Sequence, residues 1–143
     1  MNAQPAAPAF FSRTYDEALA MLRETRDYLS GRGKMELRML ANEAALDYSR
    51  ESMRLTARLT QVMAWLLLQR AVHVGEITPD EARKPEHRLS GQDICLAPSD
   101  GLERLPSRLI SLLERSDSLY RRIERLDQLA ARSVGGPRPL RSV

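Results

Sequence analysis

The side chains best suited to chemistry in this 143-residue sequence are His73, His87 and Cys95, together with the carboxylates Glu43, Asp47 and Glu51. A zinc site needs clustered nitrogen and sulfur donors, and the spacing of these two histidines and one cysteine fits no usual ligand pattern. A nucleophilic Cys95 needs a base held beside it. The segment around it is rich in turn residues, so Cys95 reads as a half-buried small residue beside Ile94 and Leu96. As the single cysteine it can form no intrachain disulfide, which points to a reducing compartment. Glu43, Asp47 and Glu51 step by four along one helix face and could line a carboxylate site. The sequence lacks the Glu-x-x-His companion such sites use, so they read as a solvated acidic face. Ser30-Gly31-Arg32-Gly33 is too short for a phosphate-binding loop and reads as a turn. The sequence thus assigns no catalytic residue, no metal ligand and no cofactor, and the expectation is a protein without enzymatic activity.

Binding is the remaining chemistry. Arg50, Arg54 and Arg58 repeat every four residues, a cationic row able to pair with acidic groups of a protein partner. The formal charge is +3, and residues 105–143 carry about twice as many bases as acids. Arg108, Arg115, Arg121, Arg122, Arg125 and Arg132 could face phosphates, but Glu114, Asp117, Glu124 and Asp127 interleave them. No recognition-helix motif accompanies them. A small basic DNA-binding or transcription-linked protein is therefore the alternative reading, and nucleic acid is disfavoured.

These residues must be positioned by helices. Leu, Ala, Met, Arg and Glu dominate, and few residues favour strands. Met1–Ala9 is rich in Pro and Ala, lacks the apolar core of a secretion signal, and is expected to be disordered through residue 10. Thr14-x-x-Glu17 predicts a capped helix start, and Tyr15, Ala18, Leu19, Leu22 and Leu29 form its apolar stripe, ended by the glycine at position 31. A second helix runs without a break from Lys34 or Met35 to Gly75, through Leu37, Leu40, Ala44, Tyr48, Leu55, Leu59, Val62 and Leu66. Its most apolar stretch, Val62–Val74, is too short and too interrupted to cross a bilayer. Thr78-Pro79-Asp80-Glu81 opens a short helix in the connection. The third helix runs from Pro106 to about Arg132 on Leu109, Leu112, Ser116, Leu119, Ile123, Leu126 and Ala130.

The expected architecture is an all-α, up-down-up three-helix bundle over residues 11–132, with a flexible tail at 133–143. The second half of helix 2 is the most apolar segment with the fewest covers. Either residues 76–104 fold over it or a second copy completes it as a homodimer, with Met63, Trp65, Leu67 and Leu68 at the contact.

The run Tyr48–Val72 (YSRESMRLTARLTQVMAWLLLQRAV), with Gly75-Glu76-Ile77-Thr78, Leu105-Pro106-x-Arg108-Leu109 and Ser118-Leu119-Tyr120, resembles the RcdA-like family, alphaproteobacterial regulators of CtrA degradation. The resemblance spans Phe11 to Leu129. It implies a three-helix adaptor, often dimeric and without catalytic residues, serving ClpXP-dependent proteolysis in the cell cycle. Its partners would be a protease-associated response regulator and cargo proteins, and its location cytoplasmic.

Overall fold

The computed structural model describes residues 7–135, and every regular element among them is helical. Three long helices carry the fold: α1 (Ala7–Ser30), α3 (Asn42–His73) and α6 (Ser107–Gly135). The short α2 (Arg32–Arg38) links the first two. Between α3 and α6 the chain forms α4 (Pro79–Ala82), α5 (Gln92–Cys95) and two 3-10 turns, Pro85–His87 and Leu102–Arg104. The expected all-α class is the observed one.

Both ends of the helical region lie further out than the local signals place them. α1 starts at Ala7, with Pro8 in its first turn, where a helix has no acceptor for an N–H and proline costs nothing. Residues 7–10 are therefore helical rather than disordered. Thr14 is buried within the helix instead of capping it, and Glu17 reaches across to Arg122 at 2.8 Å. α6 likewise continues through residues 133–135. The remainder of the two expected flexible termini, 1–6 and 136–143, lies outside the described residues.

The core is built from one stripe of each long helix: Ala18 and Met21 of α1, Leu55, Leu59, Val62 and Leu66 of α3, and Leu109, Leu112, Leu119 and Ile123 of α6. Side-chain pairs fix the relative directions. Phe11 of α1 meets Trp65 of α3 edge to face at 5.9 Å, so α1 and α3 run antiparallel with their distant ends together. Along α6, Arg58 of α3 bonds Ser116 and Trp65 bonds Asp127, so both numbers rise together and these helices run parallel. Against α1 the order reverses, Glu17 with Arg122 and Glu24 with Arg115. The expected up-down-up order is thus corrected to up-down-down. The physical reason is the length of the 74–106 connection, which returns along α3 before α6 begins, as crossover links in helix bundles do.

The unbroken second helix is corrected as well. α2 ends at Arg38, and Ala41 is extended (φ −67°, ψ 160°) before α3 starts. No proline or glycine marks the break; tertiary contacts impose it. The Tyr28 hydroxyl donates to Glu36 Oε1 at 2.6 Å, and α2 sits so close to α1 that Gly33 is buried. A β-carbon at Gly33 would lie 2.7 Å from the Tyr28 carbonyl oxygen and would strike the Tyr48 hydroxyl. Glycine is used here for close approach, not for a left-handed turn. Other local signals act as read: Thr78 Oγ1 accepts from the Glu81 N–H at 3.0 Å, with Pro79 at the first helical position.

Replacing Gly33 by Ala should cost about 1–3 kcal/mol through overpacking, measured by urea unfolding. An unchanged midpoint would show that α2 is not seated as described.

Candidate interaction face

Four consecutive turns of α3 hold the returning connection. Gln61 Oε1 accepts from the Ser90 N–H and hydroxyl at 3.1 and 3.0 Å. One turn earlier, Arg58 Nε donates to the Cys95 carbonyl at 2.9 Å. Arg54 Nη1 donates to the Ala97 carbonyl at 2.6 Å and to Ser99 Oγ at 3.1 Å, while Ser99 donates to Glu51 Oε1 at 3.0 Å. Asp47 receives Arg104 and Arg50, each at 2.5 Å. As the α3 numbers fall from 61 to 47 the connection's numbers rise from 90 to 104, so this segment is a strap laid antiparallel along the helix. Gly101, with φ +73°, keeps the strap clear of the Asp47–Arg104 pair; a β-carbon would lie 2.7 Å from Asp47 Oδ2.

Arg58 does more than hold the strap. Its Nη1 also donates to the Leu113 carbonyl at 3.0 Å and to Ser116 Oγ at 3.1 Å, and its Nη2 lies 3.5 Å from Asp117. One guanidinium therefore joins α3, the strap and α6. Its burial acts to lower its pKa, and Asp117 opposes that. Farther along, buried Asp127 accepts from Trp65 Nε1 at 3.0 Å and from Arg88 Nε at 2.9 Å, fixing the strap's other end to α6.

This placement corrects the expected cationic partner row. Arg54 and Arg58 are buried, and only Arg50 remains exposed, paired with Asp47. A four-residue repeat drifts round a helix, and here it follows the strap inward. The expected solvated acidic face is corrected too, because Asp47 and Glu51 are buried among these same arginines. Of the four residues expected at a dimer contact, Trp65 is core, Met63 and Leu68 are half-buried, and Leu67 is 48% exposed.

Because Arg54 and Arg58 turn inward, the outer side of the middle of α3 carries no charge. From Ser52 to Gln69, about 27 Å of helix, the only charged residues are Arg54 and Arg58. Leu46, Met53 and Leu67 are 69%, 73% and 48% exposed, and with Thr60 they recur every seven residues. Ser52, Met53, Thr56 and Ala57 line a shallow depression on the same face. Uncharged, ridged surface of this length is what a partner helix packs against. Sequence reading located the apolar half of helix 2 but not this face, because it counted Arg54 and Arg58 as surface.

The groups tested for chemistry are dispersed. Cys95 is fully rather than half buried, and burial pushes its thiol pKa up, away from the thiolate. Glu81, Glu86 and His87 bring ligand atoms within 4.8 Å of one another, a proximity the sequence did not signal. Lys84, at 3.0 Å from Glu81, already supplies a cation there and holds the Glu81 pKa below its ordinary value. On α6, three of the arginines considered for phosphate are engaged by acids: Arg115 by Glu24, Arg121 by Asp117 and Arg122 by Glu17. No helix among the described residues is long and apolar enough to cross a membrane.

These features define an all-helical protein with an uncharged outer helix face. Residues 2–142 match the family described as "Protein of unknown function (DUF1465)". Among solved structures, RcdA from Caulobacter crescentus CB15 is 41% identical, with a TM-score of 0.70 over 84% of this chain and 89% of that one. The chain belongs to this RcdA-like family. A comparison with curated proteins gave no match.

Arg58→Ala should cost about 2–4 kcal/mol, since it leaves the Cys95 carbonyl without its donor and removes the buried link between strap and α6, whereas exposed Arg50→Ala should stay within about 1 kcal/mol. Urea unfolding of both variants checks this, and equal effects would contradict the hub.

The Asp47 carboxyl is held below its ordinary pKa, first by the hydrogen bond from Arg104 and then by that from Arg50. Folding lowers this pKa, so the stabilisation is present above the unfolded carboxylate value and is lost as pH falls through the folded one. Asp47→Asn should therefore flatten the fall in melting temperature below about pH 4. An identical acid profile would remove Asp47 from the strap's support.

Proposed function

We propose that this protein is a non-enzymatic adaptor that brings proteins together for ClpXP-dependent proteolysis in the cell cycle, working in the cytoplasm. The kinship with RcdA supports the reading: 41% identity extends over most of both chains. The observation that carries it is the uncharged outer face of α3 between Ser52 and Gln69, a ridge suited to packing against a partner helix. Partners in this reading are a protease-associated response regulator and cargo proteins.

The same face supports a two-fold homodimer. Leu46, Met53, Thr60 and Leu67 form a self-complementary seam at heptad spacing, the geometry by which like helices interlock. Leu67, with Met63 one turn before it, is the contact carried over from the expected set; Trp65 faces the other way, into the core. In this form the three-helix bundle is the body of each subunit. The DNA-binding alternative loses support from the acid partners of Arg115, Arg121 and Arg122.

Reconstitution tests the function. Added to ClpX, ClpP, the response regulator and cargo, the chain should accelerate cargo loss, and it should show no salt-dependent affinity for random duplex DNA. Unchanged cargo lifetime would overturn the adaptor reading. For the dimer, Met53→Glu with Leu67→Glu should halve the mass measured by light scattering while leaving the far-ultraviolet dichroism unchanged. A wild-type mass equal to one chain would overturn it.

A further inference from the structure

A second surface, separate from the outer face of α3, lies on α2. This helix is short but firmly seated, with Gly33 against Tyr28 and Tyr48, and Glu36 held by Tyr28 at 2.6 Å and Arg32 at 3.1 Å. Its outward side carries Met35 and its C-terminal cap is Met39, 65% and 85% exposed; Met39 is the most exposed of the large hydrophobics described. The two thioethers stand one turn apart and border a shallow depression with Gly31, Arg32 and Glu36. Two adjacent exposed methionines form an adaptable apolar contact of the kind used on peptide-binding surfaces.

The charge beside them is one-sided. Lys34 and Arg38, also one turn apart and exposed, have no ion pair among the described residues. Arg108, at the start of α6, is exposed and close enough to help hold the Glu36 pKa down. The one carboxylate on α2, Glu36, is occupied by Tyr28 and Arg32. Glu43 lies beyond the break, in the first turn of α3, where Arg104 offsets it. The corner is thus an apolar pair flanked by a free cationic pair, both at four-residue spacing. That spacing matches apolar anchors and flanking acids one turn apart on a partner helix. A lipid surface fits less well, since interfacial helices insert a long apolar face with Trp, Phe or Leu, and α2 is seven residues with one methionine and a second at its C-terminal cap.

We propose that the α2 corner docks an acidic amphipathic helix of a protein partner, its apolar residues on Met35 and Met39 and its carboxylates on Lys34 and Arg38. This goes beyond the adaptor reading and does not depend on the α3 seam.

The probe is a fluorescein-labelled, four-turn helical peptide with leucines along one face and glutamates flanking them. The control is the same peptide with lysines in place of the glutamates. With the full chain, anisotropy should show micromolar binding of the glutamate peptide, weakening as salt rises, with amide shifts clustered at residues 34–40. The M35S/M39S variant should weaken binding about tenfold, and K34E/R38E should transfer preference to the lysine peptide, both with wild-type melting temperatures. Equal binding of the two peptides, shifts on the α3 outer face, or full affinity in M35S/M39S would overturn the proposal. So would self-association, or sedimentation with anionic vesicles, that this variant abolishes. Failure here with cargo proteolysis still dependent on the chain leaves the adaptor reading standing. Peptide binding without any effect on proteolysis leaves the docking corner standing and removes the adaptor.

Discussion

The structure depends on one buried guanidinium. Arg58 binds the strap at Cys95 and α6 at Leu113 and Ser116, with Asp117 at its edge. α6 runs parallel to α3, and two parallel helices need a connection that travels their length. Such a connection brings irregular backbone, with carbonyls that its own hydrogen bonds do not satisfy, against an apolar core. Left unpaired, each carbonyl would cost about 1–3 kcal/mol. Arg58 and Arg54 answer them at Cys95, Ala97 and Pro98. The arginines are what make a crossover possible in so small a fold.

The same interaction shapes the surface. A helix that spends its charged residues on an internal strap has none left for its far side, and α3 is uncharged there from Ser52 to Gln69. Internal satisfaction and external stickiness are two consequences of one arrangement. The second exposed apolar feature, at α2, has a different origin. There Gly33 allows a close seat, the seat forces a break at Met39–Ala41, and the break leaves Met35 and Met39 on an outer corner.

Much of the helical content was readable because it rests on periodicity. The stripe Leu109, Leu112, Leu119 and Ile123 is core as its spacing requires, and Thr78-Pro79 starts a helix through its own local bond. What sequence did not reveal depends on residues far apart in the chain. The break before Asn42 comes from Tyr28 and Tyr48 crowding Gly33, with no residue at the break to announce it. The helix order turns on whether 74–106 is a turn or a return path, a choice local signals do not contain. The site was misjudged for the same reason. Arg54 and Arg58 look like surface cations until the strap is in place, and Glu51 looks solvated until Ser99 reaches it. An aromatic on an apolar helix suits interface or core alike, and only the bond from Trp65 to Asp127 places it inside.

The central claim is that the strap is a fixed part of the fold, held by α3 arginines. Hydrogen–deuterium exchange of the unmodified chain tests it most directly. The amides that close the strap's turns, Ile94 and Cys95 onto Gly91 and Leu96 onto Gln92, should exchange as slowly as the central turns of α3. Exchange of these amides at the rate of an unfolded peptide would contradict the account.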